Sequence, residues 1–74
     1  MERYRNSGGD SGVAAYEIGS DYIKVQFKDR KTYTYTYSSA GQHHIEKMKT
    51  LARRGHGLNS YINNYVKYKY QSKF

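Results

Sequence analysis

The chain has 74 residues, ten of them tyrosine, with no cysteine and a formal net charge of +7. This length makes one small domain that buries only about 60% of its unfolded surface, and no disulfide or thiolate zinc site can stiffen it. No apolar run approaches the roughly 20 residues that span a bilayer, and none sits at the N-terminus as a signal segment, so the reading is a soluble, cytoplasmic protein with no membrane partner.

The charge is uneven. Residues 1–41 carry six Lys/Arg against five Asp/Glu, whereas residues 42–74 carry seven against the single acid Glu46. A positive field concentrated in the second half points to an anionic partner: RNA, DNA, a lipid surface or an acidic protein.

Residues 1–12 read as a flexible arm, because Asn6 to Gly12 offers no apolar side chain to dock. The domain proper is expected over residues 13–69. Val13 to Gly19 forms a first strand with Ala14, Tyr16 and Ile18 inward, since Glu17 on the other face is costly to bury unpaired. Gly19-Ser20-Asp21 turns the chain. Tyr22 to Phe27 forms the second strand, with Ile23, Val25 and Phe27 alternating against Tyr22, Lys24 and Gln26.

The run Lys31-Thr32-Tyr33-Thr34-Tyr35-Thr36-Tyr37 alternates tyrosine with threonine, and only a strand puts every second side chain on one face. The hairpin before it decides which face. A two-residue turn at Asp29-Arg30 pairs Phe27 with Thr32 and sends the tyrosines outward as a stacking platform. A three-residue loop, Asp29 to Lys31, pairs Phe27 with Tyr33 and sends them into the core. Asp29-Arg30 suits the positive φ of a two-residue turn poorly, and a small domain needs the apolar bulk of the rings. The inward reading is therefore preferred.

From about Ala40 to Arg54 the period becomes helical, with Ile45, Met48, Leu51 and Ala52 on one stripe and Ser38 or Ser39 available as cap. Gly55 suits the C′ position. A second helix is expected from Leu58 or Asn59 to Lys69, capped by Asn59, with Leu58, Tyr61, Ile62, Tyr65 and Val66 inward. Residues 70–74 read as a frayed basic-aromatic tail. The fold class is α+β: a three-stranded antiparallel sheet followed by two helices packed on one face, in the order β-β-β-α-α.

The ordered set Phe27, Tyr33, Tyr35, Gly57, Asn59, Tyr61 and Ile62, with the run Gly55-His56-Gly57-Leu58-Asn59-Ser60-Tyr61-Ile62, resembles the KTSC domain. That short module is named for its occurrence at the C-terminus of some lysyl-tRNA synthetases, and it also occurs as a stand-alone small protein. The resemblance covers roughly residues 11–66. The chain departs from the family at Arg30, where a hairpin glycine is common, and at Tyr35 to Ser39, where a proline often precedes the helix. The resemblance implies RNA binding from the synthetase context and carries no catalytic residues.

Two surfaces carry candidate chemistry. Arg53, Arg54 and His56 flank the expected N-terminus of the second helix, where free N–H groups and charge-assisted bonds would hold a phosphate. Lys67, Tyr68, Lys69 and Tyr70 interleave lysines for phosphates with rings for unpaired bases. The outer sheet face, with Tyr22, Lys24, Gln26, Thr32, Thr34 and Thr36, offers only one ring and is a poorer platform. Adjacent His43 and His44 diverge on a helix, and no carboxylate or further histidine stands one turn away, so no metal or other cofactor is expected. Ser38 or Ser39 with a histidine lacks an orienting acid, so the chain is not read as an enzyme. The expected function is a non-catalytic nucleic-acid-binding module, RNA before DNA, contacting phosphates through its basic helical half. The alternative is a protein-interaction module, a small accessory factor of phage or mobile-element type, docking an acidic partner.

Overall fold

The tyrosine–threonine run does form a strand, and its place in the molecule follows from the hairpin before it. The computed structural model, which describes residues 1–7 and 11–74, has β1 (Glu2–Arg3), β2 (Val13–Ile18), β3 (Tyr22–Phe27), β4 (Thr32–Thr36), α1 (Tyr37–Ala40), α2 (Gln42–Arg54), α3 (Leu58–Tyr61) continuing as a π-helical turn (Ile62–Val66), and β5 (Ser72–Lys73). The strands pair in chain order as an antiparallel sheet, and α2 packs across β3 and β4. The α+β class stands, but the three-stranded sheet is corrected to five: both chain ends add a two-residue edge strand.

In the hairpin, Val25 stands opposite Tyr33 and Ile23 opposite Tyr35. The Phe27 N–H donates to the Lys31 carbonyl and the Arg30 N–H to the Phe27 carbonyl, both at 2.9 Å. The loop is thus Lys28 to Arg30, one residue earlier than the expected three-residue loop, and Phe27 faces Lys31 instead of Tyr33 or Thr32. A two-residue shift in pairing preserves the face, so Tyr33 and Tyr35 still point inward, Tyr35 buried and Tyr33 half-buried, while Tyr37 lies beyond the strand. The loop closes with Arg30 in the left-handed region at φ 72°, the position where a three-residue hairpin favours glycine. Arg30→Gly is expected to raise the unfolding free energy by about 0.5–1 kcal/mol, the left-handed strain of a side chain outweighing the extra backbone entropy of glycine. An unchanged or lower urea midpoint would refute this.

β2 departs from strict alternation. Val13 faces Phe27 while Ala15 faces Gln26, so Ala14 is the extra residue of a bulge. The bulge turns both Val13 and Tyr16 into the core, and the expected inward Ala14 and Ile18 are only half-buried.

The flexible-arm reading is corrected for residues 2–7. The Tyr4 N–H donates to the Ala14 carbonyl at 2.9 Å, and its ring meets Tyr16 edge-on with centroids 6.5 Å apart. The Tyr4 hydroxyl accepts the Leu58 N–H at 3.3 Å. Arg5 donates to the carbonyls of Arg53 (2.7 Å) and Arg54 (3.0 Å), satisfying orphan acceptors at the end of α2. The part of the expected arm at residues 8–10 lies outside the described residues.

Thr36, not Ser38 or Ser39, caps the first helix: its side chain accepts the Ser39 N–H while Ser39 Oγ accepts the Thr36 N–H. This reciprocal cap pulls Tyr37 into α1. Gly41 at φ 96° separates α1 from α2, so the helix expected over 40–54 begins at Gln42 and a short extra helix, Tyr37–Ala40, precedes it. On α2, Ile45, Met48, Leu51 and Ala52 are buried as the period predicts. Lys49 is buried as well: its Nζ donates to the Ser20 carbonyl (3.0 Å) and to Glu46 (2.8 Å). The Tyr37 hydroxyl donates to the same carboxylate at 2.6 Å, and the Lys49 and Tyr37 bonds together hold Glu46 below the usual carboxylate range.

Gly55 takes the left-handed C-cap of α2 as expected. Gly57, not Asn59, occupies the N-cap position of α3. The helix expected to reach Lys69 ends at Val66 in a π-helical turn. A turn closed by i→i+5 bonds repeats about every four to five residues, so Leu58, Ile62 and Val66 stay on the core face. Tyr65 leaves that face and is 57% exposed, contrary to its expected inward position. Among the described residues no helix is long and apolar enough to cross a membrane.

The tail is corrected too. The Gln71 N–H donates to the Thr34 carbonyl (2.6 Å), and Thr32 and Phe74 exchange two backbone bonds at 2.8 Å. Residues 70–74 therefore complete the sheet edge along β4.

Candidate nucleic-acid interface

The pairing of β5 with β4 helps to form a concavity on the surface. As the tail runs back along β4 it lays the Tyr70 ring edge-on against Tyr33, with centroids 5.0 Å apart, and against Tyr35 at 6.4 Å. Phe27 meets Tyr33 edge-on from the hairpin side at 5.3 Å. These rings and Ile62 form the apolar part of a cleft of about 460 Å³ between the hairpin, the tail and the second helix. Asn59, Asn63 and Lys67, each one turn apart, line it from the helix, and Tyr68 stands at its rim, 79% exposed.

Charge surrounds the rings. Lys28, Lys67 and Lys73 line the cleft against one carboxylate, Asp29. Lys73 Nζ lies 5.7 Å from the centre of the Tyr33 ring and 5.8 Å from that of Tyr70, and Lys67 Nζ lies 5.5 Å from that of Tyr68. The Lys67 and Lys73 ammonium groups therefore lie beside rings and still reach water. Deep in the cleft, burial pushes the Tyr35 phenol up, with Tyr33 and Tyr70 adding to the shift, so it stays neutral and able to donate. Among the described residues none hydrogen-bonds its hydroxyl.

The sequence-derived site residues divide into two places. Lys67, Tyr68 and Tyr70 converge on the cleft, joined by Phe27, Lys28, Tyr33 and Lys73, which sequence reasoning did not assign to a site. The only signal for them was the KTSC-like Phe27 and Tyr33 pattern; Lys73 became visible only once the tail paired. Lys69 is exposed and does not line the cleft.

Arg53, Arg54 and His56 do not converge on one anion. Arg53 borders a hollow with Glu2, Tyr16, Glu17 and Ile18, whereas His56 borders a different one with Tyr4, Asn6 and Ser7. The first free N–H of α3, that of Leu58, is already taken by the Tyr4 hydroxyl. The docked N-terminal segment thus occupies the place a phosphate was expected to fill.

On the other flank of the second helix, His44 Nδ1 and the Tyr61 hydroxyl lie 2.7 Å apart, and the Tyr65 ring stacks near both. The outer sheet face carries Tyr22, whose hydroxyl is spent on Glu17 at 2.9 Å. Among the described residues no group of three His, Asp or Glu side chains is placed to hold a metal ion. No protein-family model, curated protein or solved structure matches the chain.

Proposed function

We propose that the protein is a non-catalytic module that binds single-stranded nucleic acid, RNA in the first place, in the cleft between the hairpin, the second helix and the tail. The observation that carries this reading is the convergence of Phe27, Tyr33, Tyr68 and Tyr70 with Lys28, Lys67 and Lys73 around one concavity. Exposed or half-exposed rings give unpaired bases a stacking surface worth about 1–3 kcal/mol each, and ammonium groups beside them neutralise the phosphates that connect those bases. Asn59 and Asn63 add donors and acceptors for base edges. The excess of Lys/Arg in residues 42–74 steers the polyanion to this half of the molecule. The resemblance to the KTSC domain points the same way through its synthetase context, and a cytoplasmic setting fits such a partner.

The test is an NMR titration with an oligouridylate, a DNA duplex and an acidic peptide. The single strand is expected to shift Phe27, Tyr33, Lys67, Tyr68 and Tyr70. The slope of log K against log salt is expected near about −2, since three lysines each release most of one counterion from a single strand. Tyr68→Ala is expected to weaken binding about tenfold, in line with the loss of one stacked base. Arg53→Glu with Arg54→Glu is expected to act less, by weakening the general field. Shifts produced by the acidic peptide alone would replace this reading with a protein-docking module.

A further inference from the structure

His44, Tyr61 and Tyr65 form an aromatic group at the surface: Tyr61 leans on the core, and Tyr65 stands outside it. Tyr65 is 57% exposed, yet its ring lies 4.7 Å from that of Tyr61 and 6.1 Å from the His44 ring, within 28° of parallel to the latter. The contact at 2.7 Å between His44 Nδ1 and the Tyr61 hydroxyl ties α2 to α3 beneath it. An aromatic surface fixed in this way loses little rotamer freedom when something stacks on it. We infer that Tyr65, held by Tyr61 and His44, is a second base-stacking platform, so that one single strand of RNA or DNA is gripped at two points on opposite flanks of the second helix. This deepens the nucleic-acid reading and rests on it.

Three observations favour a nucleic-acid strand as the occupant. The platform shares its helix with the cleft: Asn59, Asn63 and Lys67 line one flank, and Tyr61 and Tyr65 stand on the other. The sole acid in residues 42–74, Glu46, has its charge offset by Lys49 at 2.8 Å and accepts from Tyr37, so this half opposes a phosphate little. Asn64, which follows the cleft-lining Asn63, is exposed and uncharged and gives a ridge that a strand can cross without repulsion. A helix with its side chains is about 10–12 Å across. A strand that keeps the stacked rise of about 3.4 Å per nucleotide crosses it in roughly three nucleotides, and a more extended strand in fewer. One base in the cleft, the crossing and one base on Tyr65 together require about five.

Fluorescence anisotropy with oligouridylates of two, four, six and eight nucleotides reads this directly. Wild-type affinity is expected to step up between four and six nucleotides. Tyr65→Ala, at an exposed position, is expected to fold normally, to bind the dinucleotide as wild type does, and to lose about tenfold on the eight-mer, the step disappearing. Tyr65→Phe is expected to restore it, because stacking needs the ring and not the hydroxyl. If Tyr65→Ala binds the eight-mer as tightly as wild type while Tyr68→Ala weakens the dinucleotide, the platform is overturned and the cleft stands. If no oligouridylate binds the wild-type protein, both readings fall together.

Discussion

Tyr35→Ala is expected to cost about 3–5 kcal/mol, the range for removing a buried aromatic side chain from a core. Tyr35 is 1% exposed and is the largest of the fully buried side chains. It stands opposite Ile23 on β3 and touches Tyr33 and Tyr70, so the substitution empties the space under the sheet and undermines the cleft together. Domains carry about 0.05–0.15 kcal/mol of stability per residue, so a loss of this size consumes most of the margin of so short a chain. Urea denaturation followed by circular dichroism should find the variant largely unfolded; a loss under about 1 kcal/mol would show that the ring is not the core element described. Tyr35→Phe is the control and should stay folded, since the hydroxyl has no partner among the described residues. The raised phenol also has a pH consequence. The folded state favours the neutral ring, so its contribution is fully present below the ordinary tyrosine range near about 10 and is lost as pH rises above it. Wild type should therefore lose stability at alkaline pH more steeply than Tyr35→Phe.

Tyr4→Ala is expected to cost about 3 kcal/mol, again as the loss of a buried ring. This residue lies within a segment that local composition marks as disordered. Its ring is 3% exposed, packs on Tyr16, and offers its hydroxyl to the Leu58 N–H where the second helix begins. Removing it leaves a cavity and an unsatisfied buried donor, and each adds to the cost. Arg5→Ala should cost less, because its bonds to the Arg53 and Arg54 carbonyls lie at the surface. Comparing urea midpoints of the two variants checks both statements. A Tyr4→Ala variant as stable as wild type would return the segment to the status of a free arm.

The site was partly legible for the same reason that the arm was not. Lys67, Tyr68 and Tyr70 stand in one interleaved run, so ring and charge are visible together without a fold. Lys28, Phe27, Tyr33 and Lys73 come from the hairpin and the chain end, and only β5 pairing brings them to the same cleft. Arg53, Arg54 and His56 are equally close in sequence, yet the turn after α2 spreads them and the N-terminal segment fills the space between. Lys67, Tyr68 and Tyr70 converge because the turn that ends the second helix leads directly into the segment paired with β4.

By itself the sequence determined which residues alternate and which recur every helical turn. Period-2 and period-3.6 patterns are local properties of the backbone, so β3, β4 and the stripe Ile45-Met48-Leu51-Ala52 followed from it, whereas the face the tyrosines take was set by the hairpin pairing. It also placed the charge in the second half, because composition is additive. The tertiary structure decided everything that depends on a partner distant in the chain. A polar segment such as residues 2–7 has no local reason to be ordered, and gains one only when Tyr4 finds Tyr16 and Leu58. The tail frays in isolation, and becomes a strand because β4 presents unpaired N–H and C=O groups that must be satisfied. The bulge at Ala14, the left-handed Arg30 and the π-helical turn each break the local period by about one residue. They are set by what the opposite surface of the core requires, and one of them, the π-helical turn, releases Tyr65 to the surface.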